Sequence, residues 1–213
     1  METYRPLNYF SSADFVRCDL KEGVLRTPGG TRLIGVNEDF LRGFVQACEH
    51  ETGPATVLIL RRCGRRFGSR LAQRYESELS KHLGRALRDC TMAEFDALVR
   101  DLWRGSGMGE LTVGWEHGRS GFLPIKLDGS PMQNIGPSGH IADDLFCGII
   151  EGFFGHFAVS PLMCIQSGDA RIGSKEGTTF ILASAEQQPR VEQLVTDRIA
   201  HSVIISSLSR GSL

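Results

Sequence analysis

The chain has 213 residues, 41% hydrophobic and 23% charged, with a formal net charge of −1. These values are ordinary for a soluble protein with one substantial core, and they exclude a global electrostatic pull toward nucleic acid or an anionic membrane. The six cysteines are scattered without a C-x-x-C pair, which reads as reduced thiols in a cytoplasmic setting; METYRPLNYF lacks the basic-then-apolar pattern of a signal peptide, and no apolar run approaches a membrane span.

Residues 1–35 read as irregular, apart from two short strands in GVLRTPGGTRLIGV around a Pro28-Gly29-Gly30 turn. Asn37 is an N-cap for a helix through His50, with Phe40, Leu41, Phe44, Val45 and Cys48 on its apolar face. Gly53-Pro54 breaks the chain. A second helix is expected from about Ala55 to Glu78, with Val57, Leu58, Leu60, Phe67 and Leu71 inward and Gly64 and Gly68 four residues apart. A third runs from about Thr91 to Trp103.

The period then changes. GELTVGWEHGRSGFLPIKLDG alternates and is punctuated by glycine, as an antiparallel hairpin is. A Gly/Pro/Ser loop from Gly129 to Gly139 leads to an apolar helix beginning at Asp143 and ended by Pro161. A second hairpin follows in LMCIQSGDARIGSKEGTTFILAS, with its turn near Gly173–Gly177. The tail predicts a final amphipathic helix at about 190–205. The order implies a single α+β domain, helices packed on an antiparallel sheet of hairpins.

The helix at Asp143 is the most informative element. Gly148, Gly152 and Gly155 share one face at i, i+4 and i+7. Three helical glycines cost about 3 kcal/mol relative to alanine, so something must offset them. Two occupants of the notch fit: a second backbone packed very close, or a flat ligand. Trp103, Trp115, Phe122, Phe146, Phe153, Phe154 and Phe157 supply either an aromatic core or the wall of a mostly apolar pocket. His140 and His156 read as surface or structural residues, or else as a polar handle or axial ligand for anything bound in the notch. Cys147, Cys164, Asp169 and Glu176 form a weak set for zinc. Arg61, Arg62, Arg65, Arg66, Arg70 and Arg74 make the second helix a solvated face or a docking patch for acidic partners. Basic and aromatic residues do not interleave as nucleic-acid readers require. No nucleophile elbow, zinc-protease, P-loop or dinucleotide motif is present.

VLILRRCGRRFGSRLA, FDALVRDLWRGSGMGELTVGWE and DLFCGIIEGFFGHFAVSPLMCIQSGDARIG, in that order over about residues 25–185, resemble the 4-vinyl-reductase domain family, and most of all its cyanobacterial members. The resemblance implies the fold of the small subunits of the TRAPP vesicle-tethering complex, often dimeric, with an apolar cavity. It implies a non-enzymatic binding protein that holds a hydrophobic or tetrapyrrole-like ligand, or docks on a photosystem during biogenesis, at the periphery of the thylakoid membrane. Accessory service to tetrapyrrole vinyl reduction and a purely structural assembly role are the alternatives. On the reading of the notch, the aromatics and the arginine helix, the expected ligand residues are Trp103, Phe122, Phe146, Gly148, Gly152, Phe153, Gly155, His156 and Phe157, and the expected partner residues Arg61, Arg62, Arg65 and Arg66. Relatives hold zinc through a cysteine matched by Cys147 and through three further ligands. Here Gln166, Asp169 and Gly177 stand at those three positions, so zinc is not expected.

Overall fold

The computed structural model describes residues 7–134, 143–169, 174 and 177–210. A small N-terminal sheet joins β1 (Arg17–Asp19), β2 (Val24–Arg26) and β3 (Arg32–Leu33), antiparallel throughout. The sequence reading found β2 and β3 and missed β1, whose three exposed residues carry no periodic signal.

Helix α1 (Glu38–Thr52) starts where its cap predicts: the Asn37 side chain accepts from Phe40 N at 3.1 Å. Gly53, at φ 51°, turns the chain through one 3-10 turn into α2 (Thr56–Leu83). Leu60, Gly64, Gly68, Leu71, Tyr75 and Leu79 form the buried face of α2. This corrects the expected inward set, because Leu58 and Phe67 are 61% and 43% exposed. The close-packed surface is the glycine face, and those two side chains point away from it. Helix α3 (Met92–Gly105) opens on a capping box in which Thr91 and Glu94 exchange hydrogen bonds.

The main sheet has the order β4 (Glu110–Val113), β5 (Phe122–Asp128), β7 (Thr178–Ser184), β6 (Leu162–Gly168), all antiparallel. Two hairpins, β4–β5 and β6–β7, are therefore zipped together through β5 and β7. Strand alternation sends Ile125, Leu127, Phe180, Leu182 and Cys164 to one face, where they join the core built by α2, α3 and α4 (Asp144–Gly155). Phe122, Ile181 and Ala183 point to the other face and meet α5 (Gln188–Thr196) and α6 (His201–Arg210) through Val191, Ile204 and Leu208. β7 is central and covered on both sides, which is why Thr178–Ala183 are all buried.

Three boundaries differ from expectation, the first being α2, which runs on past Glu78 to Leu83. α4 stops at Gly155, not at Pro161. The tail is two helices, since Arg198 takes a left-handed conformation at φ 58° and turns the chain back. The expected loop beyond residue 134, His140, Glu176 and most of the Gly173–Gly177 turn lie outside the described residues. Among the described residues, no helix is long and apolar enough to cross a membrane.

Candidate functional site

The glycine notch of α4 is filled by α2. Gly148 and Gly152 face the backbone of Arg61, Arg65 and Ser69, while Gly64 and Gly68 face that of Leu145, Ile149 and Phe153. A Cβ built on Gly148 would lie 2.8 Å from Arg65 N, and one on Gly68 would lie 2.9 Å from Phe153 N. Two four-spaced glycine pairs thus interlock, backbone against backbone, and the close approach is possible because neither helix carries a side chain there. This settles the two occupants left open by the sequence for Gly148 and Gly152: the notch holds a helix. Gly155 sits past the crossing, with nothing within 4 Å of its would-be Cβ.

The same crossing is pinned by charge. Glu151 on α4 is buried and accepts from Arg65 at 2.5 Å and from Arg61 at 3.3 Å. Arg61 also donates to the carbonyl of Cys164 on β6, and Cys164 N lies 3.5 Å from Glu151 Oε2. Of these two expected partner residues, Arg61 is an internal brace between α2, α4 and β6, and Arg65, half exposed, ties α2 to α4 from the surface. Arg62 and Arg66 are exposed, and with Arg65, Ser69, Arg70 and Gln73 they line an open depression of about 550 Å³ on α2.

Beneath the crossing lies a continuous aromatic cluster. The Phe153 ring stands edge-on to Trp103 at 5.0 Å and to Tyr75 at 5.3 Å. Phe157 meets Tyr75, Phe95 and Phe153 at 5.3 to 6.1 Å, and Trp115 bridges Phe95 and Phe154. Phe10 of the N-terminal segment stacks on Tyr75 at 5.7 Å and 10°. Asp101 anchors that segment, accepting from Phe10 N at 2.6 Å, from Ser11 N at 3.2 Å and from the Ser11 hydroxyl.

Two polar atoms inside the cluster have no hydrogen-bond partner among the described residues: Trp103 Nε1 and Tyr75 Oη. Both side chains are fully buried, at 0% and 1% exposure. Burial pushes the Tyr75 phenol well above its ordinary value, with nearby Cys90 and Asp101 adding to the shift, so it stays protonated. Trp115 contrasts with this pair, since its Nε1 donates to Asp96 at 2.7 Å. A buried donor left unpaired costs about 1–3 kcal/mol, and two around one phenylalanine mark the place where this core is least satisfied.

Of the expected ligand residues, Trp103, Phe153 and the partly buried Phe157 meet in this layer, and Phe146 is buried in the same hydrophobic core. Phe122 lies across the sheet, stacked on His117 at 5.0 Å, and does not join them. His156 Nε2 is 2.8 Å from Glu76 Oε2 at the edge of the cluster. Tyr75 was missed by the sequence reading. Its signal was its place seven residues after Gly68, on the glycine face of α2.

Cys147 and Cys164 are both buried, and burial, then the hydrogen bond with Cys147, hold the Cys164 thiol well above its usual range. Gln166 is engaged elsewhere, donating to Asp143 Oδ2 at 2.9 Å. Among the described residues, no three His, Cys, Asp or Glu side chains converge as a metal site.

This architecture is an α+β fold of the TRAPP small-subunit type. The phenol-responsive sensory domain of the transcription activator PoxR, solved with phenol, superimposes with a TM-score of 0.65 at 14% identity, covering 88% of this chain and 94% of that one. A trafficking protein particle complex subunit 3 from Naegleria fowleri, covalently bound to palmitic acid, does so with a TM-score of 0.51 at 13% identity, over 69% of this chain and 94% of that one. No protein-family model and no curated protein matches the chain.

Proposed function

We propose that this protein is a non-enzymatic binding module for a small aromatic molecule bearing one hydroxyl. The ligand would lie in the aromatic layer beside Phe153. The observation that carries the reading is the pair of unpartnered atoms, Trp103 Nε1 and Tyr75 Oη, buried within that layer. A phenolic oxygen would accept from the indole N–H on one lone pair and from the Tyr75 hydroxyl on the other, so one ligand group would satisfy both donors. The rings give the apolar surface, and the polar pair gives orientation, as small-molecule sites usually divide the work. The likeness in fold to a phenol-responsive sensory domain supports a ligand of this size. Admission requires the packed rings to separate, and the Phe10 segment held by Asp101 is the cover that would move.

Titration with phenol and cresols, followed by calorimetry and tryptophan fluorescence, tests this. Saturable binding is expected, weakened about tenfold in Trp103→Phe, which keeps most of the ring volume and removes the donor. No binding, or equal affinity in Trp103→Phe and Tyr75→Phe, would refute the assignment.

A second reading follows the 4-vinyl-reductase resemblance: a tetrapyrrole ligand, and docking on a photosystem through the exposed arginines of α2. The open depression along Arg62, Arg66 and Arg70 favours its docking half. The filled notch at Gly148 and Gly152 disfavours its ligand half, since a flat macrocycle has no room on that face of α4. An absorbance spectrum and mass spectrum of protein purified from its native host separate the two readings. A stoichiometric pigment would displace the phenolic one.

A further inference from the structure

The N-terminal sheet sets three arginines in one row. Arg17 on β1 stands opposite Arg26 on β2, and Arg26 stands opposite Arg32 on β3. Residues directly opposed across antiparallel strands send their side chains to the same face, and strands lie about 4.8 Å apart, so the three stems leave that face over a span of about 10 Å. All three side chains are exposed. Like charges placed directly opposite one another are destabilising, and strands of three, three and two residues have little packing to offset them. Among the described residues, no ion pair involves Arg17, Arg26 or Arg32. Asp19, two residues from Arg17, instead accepts from the turn amides of Lys21 and Glu22 at 2.9 and 3.1 Å. Glu78 of α2 accepts from the hydroxyls of Thr27 and Thr31 at 3.2 and 3.1 Å, and from Tyr9, whose phenol also feels the charge of Arg17. With Thr27 N donating to Thr31 O at 2.9 Å, those bonds tie the turn down at both ends. Arg26 and Arg32 emerge from that anchored turn, so the row has a fixed base.

We propose that this row is a binding site for a linear chain of phosphates, such as inorganic tripolyphosphate or the tail of a nucleoside triphosphate. Each guanidinium is a planar fork that matches phosphate oxygens. One phosphate bridges at most two neighbouring arginines, whereas a chain of three brings an anionic group to each and offsets the repulsion along the row. An anionic membrane fits less well. At the other end of the hairpin Leu20 and Ile34 stand 89% and 80% exposed, but the Asp19 and Glu22 carboxylates lie beside them and a negative surface would repel these.

Calorimetric titration of the full chain with sodium tripolyphosphate at about 50 mM salt, where screening is weak, tests the site. Saturable one-to-one binding with a Kd below about 1 mM is expected, and it should weaken as salt rises. Orthophosphate should bind at least about tenfold more weakly, having lost one of its charge-assisted contacts. Arg26→Gln removes the central fork and should weaken tripolyphosphate about tenfold or more, while Arg62→Gln, on the outward face of α2, should leave it unchanged. Arg32→Gln serves if Arg26→Gln does not fold, as judged by circular dichroism. ATP without magnesium separates the sources. An affinity no higher than that of tripolyphosphate assigns the site to free phosphate chains, and a higher one that also falls in Arg26→Gln assigns it to a nucleotide. No saturable binding overturns the proposal, as does orthophosphate binding as tightly as tripolyphosphate. Binding indifferent to the folded arginine variant of the row, or lost equally in Arg62→Gln, overturns it too, and so does a preference for phosphatidylserine vesicles or a single-stranded oligonucleotide over both phosphate chains.

Discussion

Gly152→Ala adds one methyl group inside the close crossing of α2 and α4, and the geometry there fixes its effect. The new Cβ would stand 2.9 Å from both Arg65 C and Ser69 N, well inside ordinary contact. Those are backbone atoms of a 28-residue helix, so no side-chain rotation relieves them. The helices must part by roughly 1 Å, and close-packed interiors do not absorb that locally. Overpacking of this kind costs about 3 kcal/mol, the upper end of the usual range, because the obstacle is backbone. Replacing a helical glycine returns about 1 kcal/mol, which leaves a net loss of about 2 kcal/mol. For a chain of this size that lowers Tm by about 4–8 °C. Gly155→Ala is the control: its Cβ meets nothing within 4 Å, and the same chemistry should raise stability by about 0.5 kcal/mol. Thermal and urea melts of both variants read the result. A Gly152→Ala protein as stable as the parent would refute the close crossing of α2 and α4.

Glu151→Ala leaves Arg61 and Arg65 without their shared carboxylate across the crossing. Both arginines stay partly open to water and Arg61 keeps the Cys164 carbonyl, so the loss is that of charge-assisted hydrogen bonds, about 1.5–3 kcal/mol, which urea melts would read as a lower midpoint at unchanged slope. Tyr9 donates to Glu78 at 3.3 Å, and burial and then the Glu78 charge push its phenol up from 10.0 to about 12. A raised folded pKa means that this contribution to stability is full below pH 10 and is lost as pH rises through about 12. Absorbance titration near the phenolate band should show that late step vanish in Tyr9→Phe. Asn37→Ala should cost about 1 kcal/mol, since it removes the acceptor of Phe40 N at the start of α1.

Much of the local structure is written locally. Asn37 and Thr91 cap helices where short polar side chains can reach back to free amides. The shift from helical to alternating period at Gly107 marks the first hairpin, because faces repeat every second residue in a strand and every three to four in a helix. The cost of the α4 glycines was also legible, and it correctly singled out that helix. What occupied the notch was not legible. The partner glycines lie 84 residues earlier, as Gly64 to Gly148, and no local pattern links them. The assignment of Leu58 and Phe67 to the inside failed for the same reason: hydrophobicity says which side chains prefer burial, and the close crossing gave the inside to glycine.

The sequence by itself determined which elements form, where most of them begin, and that one helix bears a penalty demanding an offset, since propensity, capping and periodicity act within a few residues of the chain. Tertiary structure alone decided that α2 fills that notch, that Phe122 leaves the aromatic layer for the far face of the sheet, and that Trp103 and Tyr75 end up beside the same ring with polar atoms unpaired. Those outcomes depend on long-range packing and on which side of β5 and β7 each residue falls, and such choices are made by the whole core at once.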